Sequence, residues 1–397
     1  MKILFAVITL FVAFAVDAAA QTFTKTFVIN GTTLELRRKE IVAKPDSVYA
    51  GALKQLKKRA DGIVSKGKLY SVVSKSVVPP SGDKHDYMSQ APYWWPDPAK
   101  SNGLPYIRRD GERNPELSKI SDHDELDTLI DETECLSIAY FLSKDEKYAR
   151  HAAALLRTWF IDQKTRQKPN LNFAQGIPGI NTGRGIGLIE TRNLFRVIDS
   201  AIILRESRSW TAAEHDQLKV WFSEFLKWMI NSPLGKDESD ERNNHGTYYD
   251  VQIVSYALFT GDKALAKKQL ETTKSRIASQ IEPDGRQPHE LARTLSWNYT
   301  NMNLLGFFIL AKLGESVDLD LWNHKTGDGR GIRPAFEWVA THAEKKEWTF
   351  EQIKPRTFEL TLPLFNIAAV KYKNAAYRTS ADKLNVRADA LDVLNLN

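Results

Sequence analysis

The sequence predicts an all-α fold: a single large α/α toroid, an incomplete ring of roughly six or seven helical hairpins, with one small β-hairpin near the N-terminus. Three observations lead there. Apolar residues recur at spacings of three and four through most of the 397 residues. Strand signals are few once the N-terminal segment is passed. No Pro/Ser/Gly-rich linker or low-complexity tract divides residues 21–397, which therefore read as one domain. A helical solenoid would carry a fixed repeat, and none is found, so the toroid is the better reading.

Taken in order, the first element is the hairpin: Thr26 to Leu36 alternates around Asn30-Gly31, a turn-forming pair. Asp46 then precedes a helical stretch with Leu53, Leu56, Ala60 and Ile63 on one face. Leu126, Leu129, Ile130, Leu136, Ala139 and Tyr140 form the next stripe, which stops at the turn Ser143–Lys147. Ala149, Ala152, Leu155, Leu156 and Trp159 continue it as the second arm of a helical hairpin. Thr211-Ala-Ala-Glu214 is a capping-box sequence opening a helix with Leu218, Trp221, Phe222, Phe225, Leu226 and Met229 at 3–4 spacing. Further helices are expected from Asp262, from Tyr299 to Leu313 and from Pro334 to Ala343.

Residues 1–20 stand apart. Met1-Lys2 is a short basic start, Ile3–Val16 is almost wholly apolar, and Ala18-Ala19-Ala20 offers a cleavage site, so a secretory signal peptide is expected with Gln21 as the mature start. The apolar run is shorter than the roughly 20 residues of a membrane anchor. Export to the periplasm or beyond follows, and not as a lipoprotein, because the one cysteine, Cys135, lies far from the cleavage region. A lone cysteine also forms no internal disulfide, so stability must come from packing. The 55 Lys and Arg against 49 Asp and Glu leave +6, unchanged by loss of Lys2 and Asp17. That excess suits an anionic partner, although on net charge alone ordinary solubility charge is the simpler account. Export and the lack of a basic nucleic-acid motif argue against nucleic acid. Oligomeric state is left open.

Between the helices lie four long polar segments, Ser81–Pro115, Pro169–Gly187, Asn231–Tyr249 and Glu282–Tyr299. Loops of this length inside a domain usually serve a function, so the site is expected to be built from them. Asn243-Asn244-His245-Gly246 offers an amide that can bind a carboxyl group and an imidazole that can accept a proton; alone it reads as readily as a helix cap beside a surface histidine. Arg293 and Tyr299 supply a cation for an anion and a phenol for proton transfer, or else brace helix packing. Tyr93-Trp94-Trp95-Pro96-Asp97-Pro98 makes flat apolar platforms for sugar rings, and Arg108 and Arg109 can pair with carboxylates as planar forks. The competing reading is a loop pinned to the core by its tryptophans.

Together these segments resemble the alginate-lyase-like polysaccharide lyases of the α/α-toroid type. The resemblance is carried by Tyr93-Trp-Trp-Pro-Asp-Pro98 with its Arg-Arg-Asp-Gly follow-on, Asn170-Leu-Asn-Phe-Ala-Gln175, Gly183-Arg-Gly185, Asn243-Asn-His-Gly246, and Asp284-Gly-Arg-Gln287 with Glu290-Leu-Ala-Arg293, in the family's order over roughly residues 80 to 300. It implies Asn244, His245, Arg293 and Tyr299 as the catalytic set. It further implies substrate contacts from Tyr93, Trp94, Trp95, Arg108, Arg109, Asn172, Gln175, Arg184 and Arg286, and an anionic polysaccharide, alginate or glucuronan, as the substrate.

The chemistry such a set serves is β-elimination. Lysis removes the C5 proton of a uronate and expels the sugar at O4. Neutralising the neighbouring carboxylate stabilises the enolate-like transition state, a task for Asn244 and Arg293. A base and an acid are then needed. Arg293 would favour the anionic form of Tyr299 and make it a usable base. In mannuronate and glucuronate H5 and O4 share a ring face, so one tyrosine could serve both steps; in guluronate they lie on opposite faces, and His245 is the natural second group. No cofactor is called for. The eight histidines show no His-x-x-x-His or His/Cys ligand spacing, so no metal is expected. A two-carboxylate glycoside hydrolase is the nearest enzymatic alternative, with Asp284, Glu290, Asp122 and Asp124 available but no pair standing out. A non-catalytic glycan-binding protein is the alternative from another class. No Gly-x-Ser-x-Gly supports a serine hydrolase.

Overall fold

A computed structural model describes residues 25–345, 347–384, 386 and 389–394. The expected signal peptide, residues 1–20, lies outside them. The helices are α1 (Gly31–Ala43), α2 (Val48–Lys66), α3 (Asp122–Ser143), α4 (Glu146–Leu156), α5 (Leu194–Leu204), α6 (Ala212–Asn231), α7 (Pro233–Asp240), α8 (Asn244–Thr260), α9 (Lys263–Gln280), α10 (Pro288–Leu291), α11 (Ser296–Gly314), α12 (Ile332–Ala343), α13 (Thr361–Lys371), α14 (Ala376–Asp382) and α15 (Ala390–Leu394). Successive members of the series α3, α5, α8, α11 and α13 pack against one another and form the inner ring, while α4, α6, α9 and α12 lie outside it. Burial separates the two layers. In α8, 15 of 17 residues are buried, against 5 of 18 in α9, so α8 is buried on nearly every face and α9 on one stripe only. The C-terminal α15 returns to pack on α2, and one apolar cluster runs from Val28 to Leu394. This is the toroid expected from the sequence.

The N-terminal β-hairpin does not form. Asn30 instead caps α1, its side chain accepting the N–H of Thr33 at 3.1 Å. Asparagine serves a helix N-cap as well as a turn, and here the cap wins. The preceding strand-like residues find a different partner: the N–H groups of Phe27, Val28 and Ile29 donate to the buried Asp199 carboxylate at 2.7, 2.8 and 2.7 Å.

Among the described residues, strands are confined to two small pairs. β1 (Met88–Gln90) runs parallel to β4 (Phe173–Gly176), and β2 (Trp94–Trp95) runs antiparallel to β3 (Ile107–Arg108). Both strands of the β1–β4 pair are fastened to the helices by buried polar groups. Lys75 Nζ donates to Val72 O, Lys84 O and Asp122 at 2.6, 2.8 and 2.9 Å, and Asp122 also accepts the N–H of Met88, so the ion pair fixes β1 to the start of α3. Trp159 and Trp221, both fully buried, donate their indole N–H groups to the side chain and carbonyl of Gln167, which anchors the segment leading into β4.

Candidate active site

The four polar segments meet in a cleft of about 380 Å³. Its floor is formed by the N-terminal ends of three inner helices: His123 and Asp124 of α3, Asn244 and His245 of α8, and Tyr299 and Met302 of α11. Helix N-termini attract negative charge. Five arginines line the same space, Arg108, Arg113, Arg184, Arg192 and Arg293, against the carboxylates Asp124, Glu190 and Glu241.

Asn244 and His245 are placed by the turn into α8. Asn243 caps that helix, its side chain accepting the N–H of His245 at 2.9 Å. Gly246 is required there, since a Cβ would lie 2.1 Å from Glu241 O and 2.3 Å from Arg276. Two buried carboxylates hold the functional side chains. Glu290 accepts the backbone N–H of Asn244 at 2.6 Å and its side-chain amide at 2.9 Å. Glu238 Oε1 lies 2.9 Å from Nδ1 of His245. Burial pushes both acids up, Glu290 to about 7 against opposing hydrogen bonds from Asn244, Glu238 against the opposing charge of His245.

Arg293 and Tyr299 come from the segment that leads into α11. The guanidinium lies over the phenol ring, 3.8 Å from its centroid. Asp110 grips Arg293 through Nε and Nη2 at 3.1 and 2.8 Å and also accepts from Arg108 at 2.9 Å. Burial alone would raise Asp110, but these arginines win and hold it well below the usual carboxylate range. The Tyr299 hydroxyl is 2.7 Å from that of Tyr93. Burial and then Tyr93 push Tyr299 well above its ordinary value, and Arg293 offsets only part of this. The cation is where the sequence placed it, and desolvation opposes its effect on the phenol.

The remaining wall is rich in unpaired nitrogens. Among the described residues, Gln90 Nε2, His123 Nδ1 and Arg184 Nε are buried without a hydrogen-bond partner, and all three residues line the cleft. Arg184 reaches Gln175 Oε1 at 2.8 Å, and burial together with Arg108 lowers its pKa to about 10. Gln175 has φ +50°, a left-handed conformation uncommon for a residue with a long side chain, and Ser89 Oγ accepts its N–H at 2.8 Å.

Of the residues singled out in the sequence, Asn244, His245, Arg293, Tyr299, Tyr93, Trp94, Arg108, Gln175 and Arg184 line this cleft. Trp95, Arg109, Asn172 and Arg286 do not. Trp95 pins its loop, donating to Glu112 O at 2.9 Å with Arg109 5.2 Å over its ring. Asn172 accepts from Trp228, and Arg286 pairs with Asp284 on the surface. Sequence reasoning missed the supporting carboxylates Asp110, Glu238 and Glu290 as site residues, and the unpaired nitrogens of Gln90 and His123. Asp110 and Glu290 both stood inside quoted motifs, and Glu290 was weighed only as a hydrolase carboxylate. Among the described residues, no group of three His, Cys, Asp or Glu side chains is arranged to hold a metal ion.

Comparison with known proteins places this geometry. A family model described as alginate lyase matches residues 71–349. The crystal structure of an alginate lyase from Bacteroides ovatus is 35% identical, with a TM-score of 0.89 over 94% of this chain and 99% of that one. Alginate lyase A1-III from Sphingomonas species A1 is 15% identical, with a TM-score of 0.56 over 94% of this chain and 98% of its own, a likeness of fold. A histidine-to-alanine variant of A1-III, complexed with tetrasaccharide, is 16% identical with a TM-score of 0.57 over 94% and 98% of the two chains. No curated protein matches the chain.

Proposed function

Because the chain belongs to the alginate lyase family and is a polysaccharide lyase, we propose that it cleaves alginate by β-elimination in this cleft, with Asn244, His245, Arg293 and Tyr299 as its catalytic residues. The observation that carries the reading is the convergence of these four side chains, drawn from two distant segments, in one arginine-lined cleft.

In this reading the uronate carboxylate sits against Arg293 and the amide of Asn244. Asp110 occupies Nε and Nη2 of Arg293 and leaves Nη1 for substrate. Neutralising the carboxylate lets charge from C5 spread onto it in the transition state. The C5 proton passes to His245 Nε2, the C4=C5 bond forms, and O4 departs with the proton of Tyr299. Solvent then returns the tyrosinate and imidazolium to their resting forms. A tyrosine that starts protonated is an acid ready for use and a separate imidazole can be the base, the two groups that the opposed H5 and O4 of guluronate require. On mannuronate Tyr299 must first give up its proton, which burial opposes and Arg293 assists. Gln90 and Arg184 supply unsatisfied donors, and His123 an unpaired ring nitrogen, for neighbouring hydroxyl and carboxylate groups. The sequence Met1–Ala20 supports an exported enzyme acting on polymer outside the cytoplasm.

The test is incubation with polymannuronate, polyguluronate, mixed alginate and glucuronan, following ultraviolet absorbance and chain length together. Absorbing unsaturated ends should appear on alginate. Chains that shorten without such absorbance would sink the assignment.

A further inference from the structure

Glu238 is used by none of the steps above, yet its carboxylate is fully buried and one of its oxygens, Oε2, has no hydrogen-bond partner among the described residues. Burying a carboxylate on so few contacts is costly, and an apolar residue of similar volume would fill the space more cheaply. The fold nevertheless builds a seat for it. Helix α7 is capped by Ser232, whose Oγ accepts the N–H of Gly235 at 3.0 Å. The helix is pressed against the turn at Gly185, where a Cβ would lie 2.4 Å from Asp237 Oδ2. That seat delivers Oε1 to Nδ1 of His245 at 2.9 Å, while Asn243 fixes the backbone N–H of the same histidine.

We infer that Glu238 is a positioning residue that holds His245 with its proton on Nδ1, so that Nε2 faces the substrate as a proton acceptor. This rests on the lyase reading of the site. The physical reason is that an imidazole carries one proton on two nitrogens, and whichever nitrogen donates to an acceptor-only partner keeps it. When His245 takes the C5 proton, the same carboxylate stabilises the imidazolium that forms. The other groups facing the pair are Asp237 and Glu241, which add negative potential, Arg184 from the Gly183–Gly185 turn, the Tyr249 phenol on α8, and Glu290 beneath Asn244. None of them is hydrogen-bonded to the imidazole among the contacts described, so the tautomer rests on Glu238. The consequence is a dependence on substrate: a sugar whose H5 and O4 lie on opposite faces needs the Nε2 base, whereas one with both on the same face can be served by Tyr299.

The experiment compares wild type, Glu238→Gln and Glu238→Asp on oligoguluronate and oligomannuronate, and reads the ring protons of 15N-histidine-labelled protein by NMR. A neutral amide can accept from or donate to Nδ1 and so no longer selects the tautomer. Glu238→Gln should lower kcat on oligoguluronate by about 10²-fold or more with KM changed by less than about 2-fold, and on oligomannuronate by less than about 10-fold. Glu238→Asp should recover part of the rate on oligoguluronate. Wild-type His245 should show the Nδ1–H form, and Glu238→Gln should disturb it. A proton on Nε2 in the wild type, the signature of a protonated Glu238 donating to the ring, overturns the inference. So do equal rate losses on both substrates tracking a lowered Tm. If the wild type yields no unsaturated ends from any polyuronate, the lyase reading fails, and the 15N spectra still decide the role of Glu238. If it cleaves oligomannuronate alone, those spectra decide as well.

Discussion

Replacing Glu290 with Gln tests how the cleft holds Asn244, because that carboxylate is both the anchor of the amide and a buried charge. In the folded protein its pKa rises from 4.5 to about 7, chiefly through burial, with Asn244 and Arg293 opposing. A carboxyl group with a raised pKa binds its proton more tightly folded than unfolded. Stability is therefore greatest below pH 4.5 and falls as pH climbs toward 7, levelling off above it. At about 1.4 kcal/mol per pH unit, that rise amounts to about 3 kcal/mol at most from this one group. Glutamine has no charge to desolvate, so the variant should lack this slope. It places an NH2 against one of the two donors of Asn244, which sit 2.6 and 2.9 Å away, and so leaves a buried donor unpaired at a cost of about 1–3 kcal/mol. The two effects nearly cancel at pH 9, while at pH 5 the variant should be the weaker protein. Urea denaturation of both proteins from pH 5 to 9 measures this, the difference between them removing the contribution of other groups such as Asp122. A difference in stability that stays constant across that range would refute the buried-charge argument, whatever the activity does.

Two further perturbations separate catalysis from folding. Tyr299→Phe removes only a hydroxyl whose partner, Tyr93, is half-buried and can take water, so stability should change by about 1 kcal/mol or less while kcat falls about 10²- to 10⁴-fold; paired calorimetry and turnover measurements check this, and a retained rate moves the proton elsewhere. Lys75→Met strands Asp122 in a site where both side chains are fully buried, which should destabilise the protein by about 3–5 kcal/mol at pH 8. Part of that loss should return at pH 5, since burial already raises Asp122 to about 6 even with Lys75 opposing, and a variant insensitive to that pH change contradicts the account.

The fold was legible where helices present one apolar stripe to an inner layer. The residues Leu218, Trp221, Phe222, Phe225, Leu226 and Met229 of α6 are such a stripe, and Thr211 with Glu214 closes the capping box that the sequence spells. Helix α5 was harder to read because ten of its eleven residues are buried, leaving little periodicity to detect. The N-terminal segment misled for a different reason. Asn30-Gly31 fits a two-residue turn and a helix start alike, and what decides between them is Asp199, about 170 positions away, drawing in the N–H groups that a strand would have used.

The site divides along the same line. The residues proposed to exchange protons or face substrate sit in short motifs, and Asn244, His245, Arg293 and Tyr299 stood out once those motifs were taken together as a family resemblance. The carboxylates that orient them did not, since each is an ordinary acid in sequence and becomes special only through a contact the fold creates. Asp110 meets Arg293 across 183 positions, and Glu290 meets Asn244 across 46. Glu238 is only seven positions from His245, yet nothing in the sequence marks it, because the intervening break between α7 and α8 turns the chain back so that the two side chains face each other. The same limit applies to the expectation that Arg293 favours the anionic form of Tyr299. Proximity to Arg293 can be guessed from a spacing of six residues, but the burial that overrides it comes from α11 settling into the inner ring and from Tyr93 arriving on a separate loop. A cation beside a phenol is thus a weak guide to its charge until the depth of both is known. In the proposed mechanism that depth makes Tyr299 the proton donor on guluronate, which leaves H5 to an imidazole whose outer nitrogen must be kept bare.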